Sequence, residues 1–391
     1  MIAVEIIFWV SLCLLIFTHI GYPAAMLVLA RLHGARRSTG SPRPAGIGLE
    51  PENGAGGGPA LPLVSLIVAA HDEEEVIAER IRNLLELDYP RDRLQIVVAS
   101  DGSGDETVGR AQDAGADLVL DLARVGKIEA QNEAVRASSG ELLAFSDANA
   151  FWAPDALRRL LSPFEDEDVA YVCGQVRFTS ESGDNQEGAY WRYEMGVRAL
   201  ESRLAGVTGG NGAIYAVRGD AYVFLAPSRS HDLSFPFELT KRGHRAVYAA
   251  DATATEKMVP TVEGEFARKR RMMRGLWDIV ARDGMLSPRG YTPLYAFQIA
   301  SHRLLRYLSP FLHLLVLGTN IALLGSGTVY VVTLALQVGF LAAAALGLLV
   351  SARIFRLPYY YVLVTASIAA GLYDRLRLGA PGAWEKAEGT R

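Results

Sequence analysis

Val64-Ser-Leu-Ile-Val-Ala-Ala-His-Asp-Glu-Glu74 decides the architecture: six of its first seven residues are apolar, and a polar turn follows. An apolar run without alternation reads as a strand buried on both faces, as in parallel sheets. Beyond the turn, Val76, Ile77, Ile81, Leu84 and Leu85 recur at helical spacing, so residues 73–87 read as an amphipathic helix. The pattern continues, with strands over 94–99, 119–120 and 142–145 and helices over 107–114 and 127–137. Such alternation predicts an α/β domain with a mostly parallel sheet and helices on both faces. Ligands on such sheets sit beyond the C-terminal ends of the strands. The residues found there are His71-Asp72-Glu73-Glu74, Ser100-Asp101-Gly102-Ser103-Gly104 and Ser146-Asp147-Ala148-Asn149.

The rest of the chain has a different character. Of 391 residues, 39 are Lys or Arg and 43 Asp or Glu, a net charge of −4. A nucleic-acid partner is not expected, because phosphate binding asks for a basic surface. Two cysteines, Cys13 and Cys173, lie in unlike surroundings and exclude a disulfide scaffold or a thiolate metal cluster. Residues 6–29 are almost wholly apolar, broken mainly by His19 and Tyr22, and are long enough to cross about 30 Å of hydrocarbon. No basic residue precedes them, whereas Arg31, Arg36 and Arg37 follow. This reads as an uncleaved anchor whose C-terminal end is cytoplasmic. Residues 308–324, 329–350 and, more weakly, 357–372 read as further spans. Four full spans would place Arg375, Arg377, Lys386 and Arg391 outside, against the positive-inside rule. Either the last segment is not a full span or the tail breaks the rule. The expected organisation is an anchor (1–31), a Gly/Pro-rich linker (32–62), a catalytic domain (63–260), amphipathic basic interfacial helices (261–306), C-terminal transmembrane helices (307–375) and a tail (376–391).

Chemistry is suggested by the strand ends. The chain has no Gly-x-Gly-x-x-Gly and no Walker A motif, which argues against dinucleotide dehydrogenases and P-loop enzymes. A carboxylate there can bond ribose hydroxyls. Asp147 and Asn149, two residues apart, can hold a divalent cation through oxygen ligands, with phosphates completing the shell. Gly126-Lys127 offers an ammonium to the same phosphates. Each motif alone also suits a solvated helix N-cap.

Taken together, the motifs resemble the family 2 glycosyltransferases, in the membrane-anchored branch of hyaluronan, chitin, cellulose and exopolysaccharide synthases. The family's Asn-Glu-Glu appears as Asp72-Glu73-Glu74, its Asp-Gly-Ser as Asp101-Gly102-Ser103, and its Gly-Lys before Ala-x-Asn as Gly126-Lys127 and Ala130-Gln131-Asn132. Its Asp-x-Asp appears as the variant Asp147-Ala148-Asn149. The resemblance covers residues 63 to about 286 and implies a GT-A (Rossmann-like, mostly parallel sheet) cytosolic domain beside transmembrane helices. It further implies that Asp72 or Glu73 and Asp101 hold the nucleoside, Lys127 touches the diphosphate, and Asp147 and Asn149 hold Mg²⁺ or Mn²⁺.

Three further segments fit the resemblance. Thr208-Gly209-Gly210-Asn211-Gly212 lets backbone approach a ligand, and in the family this segment, with Gly209 and Gly210, borders the acceptor sugar. His231-Asp232 opens a helix toward Lys241; the family has an acidic pair there, so Asp232 matches the general base that deprotonates the acceptor hydroxyl. The run from Glu265 to Trp277 is basic and amphipathic, with Phe266, Met273, Leu276, Trp277 and Val280 on one side, and suits a membrane surface. It also matches the family's Gln-x-x-Arg-Trp segment, with Arg268 for Gln, Arg271 for Arg and Met272 for Trp, and with Arg274 as a further cation for acceptor or diphosphate. Met cannot stack on a sugar as Trp does. Ser301 to Tyr307 reads as ordinary basic anchoring.

The resemblance thus implies an inverting, metal-dependent hexosyltransferase of the inner (plasma) membrane, multi-pass with a cytoplasmic catalytic domain and in contact with membrane lipids. The donor would be a nucleotide-sugar, a UDP-sugar first, and the acceptor a saccharide or lipid-linked glycan in polysaccharide synthesis. A non-processive polyprenyl-phosphate or glycolipid transferase is an alternative, as is an inactive scaffold of an export complex.

Overall fold

The parallel half of the sheet is built from β1 (Val64–Ala70), β2 (Leu94–Asp101), β3 (Leu118–Leu122) and β4 (Leu142–Asp147). In the computed structural model, which describes residues 1–38, 61–179, 189–257, 262–350 and 352–379, every residue of β1 is buried. β1 pairs in parallel with β2 and β4, and β2 with β3. A mixed extension adds β5 (Phe151–Trp152), β6 (Val169–Thr179), β7 (Tyr215–Arg218) and β8 (Arg245–Lys257), with β7 antiparallel to both β4 and β6, and β8 parallel to β6 and antiparallel to β5, in the order β3-β2-β1-β4-β7-β6-β8-β5. Successive side chains of β1 feed opposite cores: Leu66 and Val68 pack on one face, Ile67 on the other with Ile128 and Phe145. The order turns back beside β1, which opens a crevice at the ends of β1, β2 and β4. This is the GT-A fold expected from the sequence.

The flanking helices are α1 (Ile2–Ile16), α2 (Tyr22–Ser38), α3 (Ile77–Leu85), α4 (Thr107–Asp113), α5 (Lys127–Arg136), α6 (Ala156–Leu161), α7 (Ala189–Leu204), α8 (His231–Lys241), α9 (Val262–Ala281), α10 (Pro293–Gln298), α11 (Leu305–Ala322), α12 (Thr328–Leu346) and α13 (Arg353–Leu378). The helix expected from residue 73 begins only at Ile77. The intervening backbone donates outward: Asp72 N–H to Ser103 Oγ, Glu73 N–H to Thr107 Oγ1 at 2.7 Å and Glu74 N–H to Asp105 Oδ2. These bonds lace the β1 and β2 loops together and hold Asp72 at φ +52°, a conformation uncommon outside glycine.

Three helical stretches are long and apolar enough to cross a membrane: Ile2–Leu32, Pro293–Ala322 and Thr328–Leu346. The first two contain π-helical turns, Phe17–Gly21 and Ile299–Leu304, which carry His19 and His302. The fourth expected span, 357–372, lies inside α13, which is not among the three. α13 instead lies along α9. Arg270 bonds Asp374 through two contacts of 2.6 Å, Arg375 Nε donates to Asp278 at 2.6 Å, and Trp277 Nε1 donates to the Ile368 carbonyl. The 39–60 part of the expected linker and the 380–391 part of the tail fall outside the described residues.

Gly371 is where α9 and α13 touch: a Cβ there would lie 2.6 Å from Met273 Cβ. Gly371→Leu is therefore expected to lower thermal stability by about 1–3 kcal/mol, as overpacking does, and to expose α13 to protease. An unchanged unfolding midpoint would show that the two helices do not pack this way.

Candidate functional site

Asp101 closes β2 and is fully buried. Its Oδ1 accepts from the backbone N–H groups of Val125 (2.6 Å) and Gly126 (2.8 Å) at the start of α5. Its Oδ2 has no hydrogen-bond partner among the described residues. An orphaned, buried carboxylate oxygen is costly unless a ligand completes it. Asp72, beside it, accepts from Gly104 N–H at 2.8 Å, and Glu73 is buried. The structure thus gathers Asp72, Glu73 and Asp101 at the ends of β1 and β2.

Asp147 ends β4, and its Oδ1 accepts from Lys127 Nζ at the first turn of α5. Burial alone would lower the Lys127 ammonium, but the Asp147 carboxylate outweighs it and the group ends above its ordinary value. Asp147 and Asn149 are half-buried, with buried Ala148 between them in the turn that follows β4. A Cβ on Gly212 would lie 3.5 Å from Asp147 Oδ2 and 3.6 Å from Lys127 Nζ. Glycine leaves that cradle open. Among the described residues no group of three or more His, Cys, Asp or Glu is placed to hold a metal. A cation fits here on two oxygen ligands, with the rest of its shell drawn from phosphate and water.

The glycine segment connects this cradle to Asp232. Gly210 N–H donates to the Asp232 carbonyl at 2.7 Å, and Arg198 Nη2 donates to the Gly210 carbonyl. A Cβ on Gly210 would collide with the Tyr171 hydroxyl, which is buried and has no hydrogen-bond partner among the described residues. Asp232, at the second position of α8, is half-buried and electrostatically coupled to Lys127. His231, in the place of the family's other acid, is a core residue. It lies against Phe145 and Phe235, and its Nδ1 is 2.6 Å from the Tyr215 hydroxyl. Burial first, and then the Lys127 charge, lower its pKa to about 3.

Sequence reasoning missed what holds the segment from behind. Glu201 on α7 is 1 % exposed. Its carboxylate accepts from Tyr22 OH (2.5 Å) on α2 and from Thr208 N–H and Oγ1, and lies 2.7 Å from His302 Nδ1. Arg303 Nε donates to Thr208 Oγ1, and its guanidinium lies where a Gly209 Cβ would be, 2.4 Å from Nη2. The run 301–307, read as plain anchoring, thus backs the glycine segment. Its signal was available: Tyr22, His302 and Arg303 are polar residues within otherwise apolar helices.

The arginine helix is more committed than its sequence implied. Arg268 and Lys269 pair with Glu265, and Arg270 with Asp374. Arg274 donates to the Leu378 and Gly379 carbonyls at the end of α13, where a cation suits the helix terminus. Arg271 is half-buried on the same helix. The described contacts do not bring Arg268 or Arg274 against Asp147 or Asp232.

Comparison with known proteins gives the family. A family model described as Glycosyl transferase family 2 matches residues 65–219. An N-acetylglucosaminyltransferase of Bradyrhizobium elkanii is 32% identical over 126 residues, 30% of this chain and 69% of that protein. A beta-monoglucosyldiacylglycerol synthase of Trichormus variabilis is 36% identical over 125 residues, 30% of this chain; the chain spans about a quarter (26%) of that protein's length. Among solved structures, mannosyltransferase PcManGT from Pyrobaculum calidifontis, in complex with GDP-Man and Mn2+, matches with a TM-score of 0.68 over 95% of this chain and 99% of that one, at 22% identity. That likeness shows the fold.

His231 gives a pH dependence. The unfolded chain binds a proton on this imidazole near pH 6.5, the folded chain only near 3. Its neutral form therefore contributes fully above pH 6.5, and stability falls as pH drops toward 3, by up to about 1.4 kcal/mol per pH unit. His231→Gln is expected to flatten the decline of the unfolding midpoint between pH 6 and 4. An identical decline in both proteins would mean that His231 is protonated in the fold.

Proposed function

This chain belongs to glycosyl transferase family 2, and from that premise we propose that it is a membrane-bound inverting glycosyltransferase. It takes a nucleotide-sugar, a UDP-sugar first, and passes the sugar to a saccharide or lipid-linked acceptor at the inner face of the plasma membrane. The observation that carries this reading is the reach of the segment from Gly209 to Gly212. It contacts the backbone of Asp232 at Gly210 and arrives over Asp147 and Lys127 at Gly212, so donor and acceptor chemistry meet across four residues.

The geometry supports the following roles. Asp101, with its open Oδ2, and Asp72 or Glu73 hold the nucleoside. Lys127 and the N-terminus of α5 face the diphosphate, where cationic and N–H groups favour an anion. Asp147 and Asn149 hold Mg²⁺ or Mn²⁺, which when bound supplies positive charge to the departing diphosphate. Gly209 and Gly210 border the acceptor, with Arg271 and, less directly, Arg268 and Arg274 on the neighbouring helix. Asp232 accepts the acceptor hydroxyl's proton as the glycosidic bond forms, on the side away from the leaving group. Because fixed groups stand where charge develops, the transition state gains more than the ground state.

Three helices long and apolar enough to cross support a three-crossing topology. With the N-terminus outside, they leave the catalytic domain and α13 together on the cytoplasmic side, where Arg375 and Arg377 satisfy the positive-inside rule. Within this reading, single transfer to a lipid-linked or glycolipid acceptor is favoured over polymerisation. Met272 stands in the stacking Trp's place and is 51 % exposed, so no aromatic platform forms at that position. The inactive scaffold is disfavoured by the completeness of the donor side.

Release of UDP or GDP by the detergent-purified protein with Mn²⁺, across a panel of UDP-sugars and GDP-sugars with added membrane lipids, tests the proposal. Turnover of one donor is expected, lost by at least about a hundredfold in Asp232→Asn with nucleotide binding retained. Full activity in that variant would remove Asp232 as the base; no release with any donor would return the weight to the scaffold.

A further inference from the structure

Behind Asp147, on the core side of the sheet, lies a cation that the roles above leave unused. Arg80 occupies a position on α3 where Ile77, Ile81 and Leu84 face the core, and it is itself fully buried. Its Nη2 donates to Ser146 Oγ at 2.8 Å, its Nη1 donates to Asn83 Oδ1, and its guanidinium lies 5.4 Å from the centre of the Trp152 ring. Its Nε has no hydrogen-bond partner among the described residues. All of these partners are neutral. Burial lowers its pKa to about 9, and the Asp147 charge works in the opposite direction.

Burying a guanidinium among neutral groups is strongly unfavourable, and an aliphatic side chain of similar length would fill the space without that cost. What an aliphatic chain cannot do is hold the Asp147–Asn149 turn at both ends. Ser146 precedes the turn. Asn83, which Arg80 orients, accepts from Trp152 N–H at 2.9 Å and donates to the Trp152 carbonyl at 3.0 Å just beyond it. Trp152 Nε1 then donates to the Ala213 carbonyl, next to Gly212 over the same cradle. The chain of contacts therefore frames Asp147, Asn149 and Gly212 together. Asp147 also has Lys127 on its open side. A diphosphate would draw Lys127 away, and Arg80 is the positive charge that stays.

We propose that Arg80 is a positioning residue for the cation site: it fixes the Asp147–Asn149 turn and supplies a permanent charge behind Asp147, so that the two ligands keep their place when Lys127 turns to a diphosphate. This rests on the glycosyltransferase reading above. The test uses the full chain in detergent, with Arg80→Met and Arg80→Lys. Mn²⁺ binding is measured by electron paramagnetic resonance with saturating UDP or GDP, whichever the wild type binds. Nucleotide binding in EDTA and the unfolding midpoint are measured alongside.

Arg80→Met is expected to weaken Mn²⁺ binding by about tenfold or more, as loss of outer-shell support does, while nucleotide affinity in EDTA stays within about twofold. Arg80→Lys is expected to recover most of the Mn²⁺ affinity even where its unfolding midpoint is no higher than that of Arg80→Met. Should Arg80→Met fail to fold, Ser146→Ala removes one of Arg80's contacts and is expected to weaken Mn²⁺ in the same direction, with nucleotide affinity unmoved. Wild-type Mn²⁺ affinity in folded Arg80→Met, or equal losses of metal and nucleotide in both Arg80 variants, would overturn the assignment. A wild type that binds neither nucleotide would instead overturn the glycosyltransferase reading.

Discussion

The glycine segment of this molecule, the proposed acceptor side, depends on one buried carboxylate. Glu201 sits at 1 % exposure, where an unpaired charge costs several kcal/mol. Burial works against its ionisation, and His302 and Arg303 outweigh burial, so the group is held below the usual carboxylate range. Its partners come from three separate parts of the chain: Tyr22 on the N-terminal helix, Thr208 beside the glycines, and His302 on the C-terminal membrane-length helix. Removing any one of them leaves a charged group short of partners in a place water does not reach. The catalytic domain and its helices therefore do not divide into an enzyme and a passive tether. The helices supply part of the electrostatic frame that fixes Gly209 and Gly210, and through Gly210 the start of α8.

A second constraint acts on the donor side. Lys127 and Asp147 satisfy each other, although the proposed chemistry assigns them to opposite partners, a diphosphate and a cation. The pairing solves a folding problem, because each would otherwise be a half-buried charge beside a sheet end. It also means that both ligands exchange one charge contact for another rather than entering a vacant field. Binding the two together is favoured over binding either alone, since a diphosphate compensates Lys127 just as a cation compensates Asp147.

The parallel half of the fold was readable because its signals are local. β1 matches its sequence-predicted limits, and α5 and α8 begin at Lys127 and His231 as read. The polar residues at the ends of β1, β2 and β4 were legible for the same reason: strand ends collect ligands in such sheets. What the sequence did not disclose is non-local. β5, a two-residue strand, is too short to carry a period. The start of α3 depends on hydrogen bonds from residues 72–74 to a loop about 30 residues on. Glu201 looks like any surface acid on an amphipathic helix until Tyr22 and His302 are brought to it. Arg80 left a trace, a cation on the apolar stripe of α3, but its meaning required knowing that Ser146 and Trp152 lie beneath.

The basic helix shows how composition can mislead. Its run of Arg and Lys suggests an unmatched positive face awaiting phosphate or lipid. In the fold, Glu265, Asp374 and the terminal carbonyls of α13 take up Arg268, Lys269, Arg270 and Arg274, and Arg375 from α13 reaches back to Asp278. The charges cross between two helices that meet closely enough to require Gly371. Surface ion pairs contribute little singly, but a network that both staples two helices and shares an apolar cluster with Trp277, Tyr307 and Ile368 specifies one alignment. That alignment makes α13 a platform for α9. A helix with charges at both ends and polar bonds along its length is stable against a protein partner, where hydrocarbon would leave those groups unmatched.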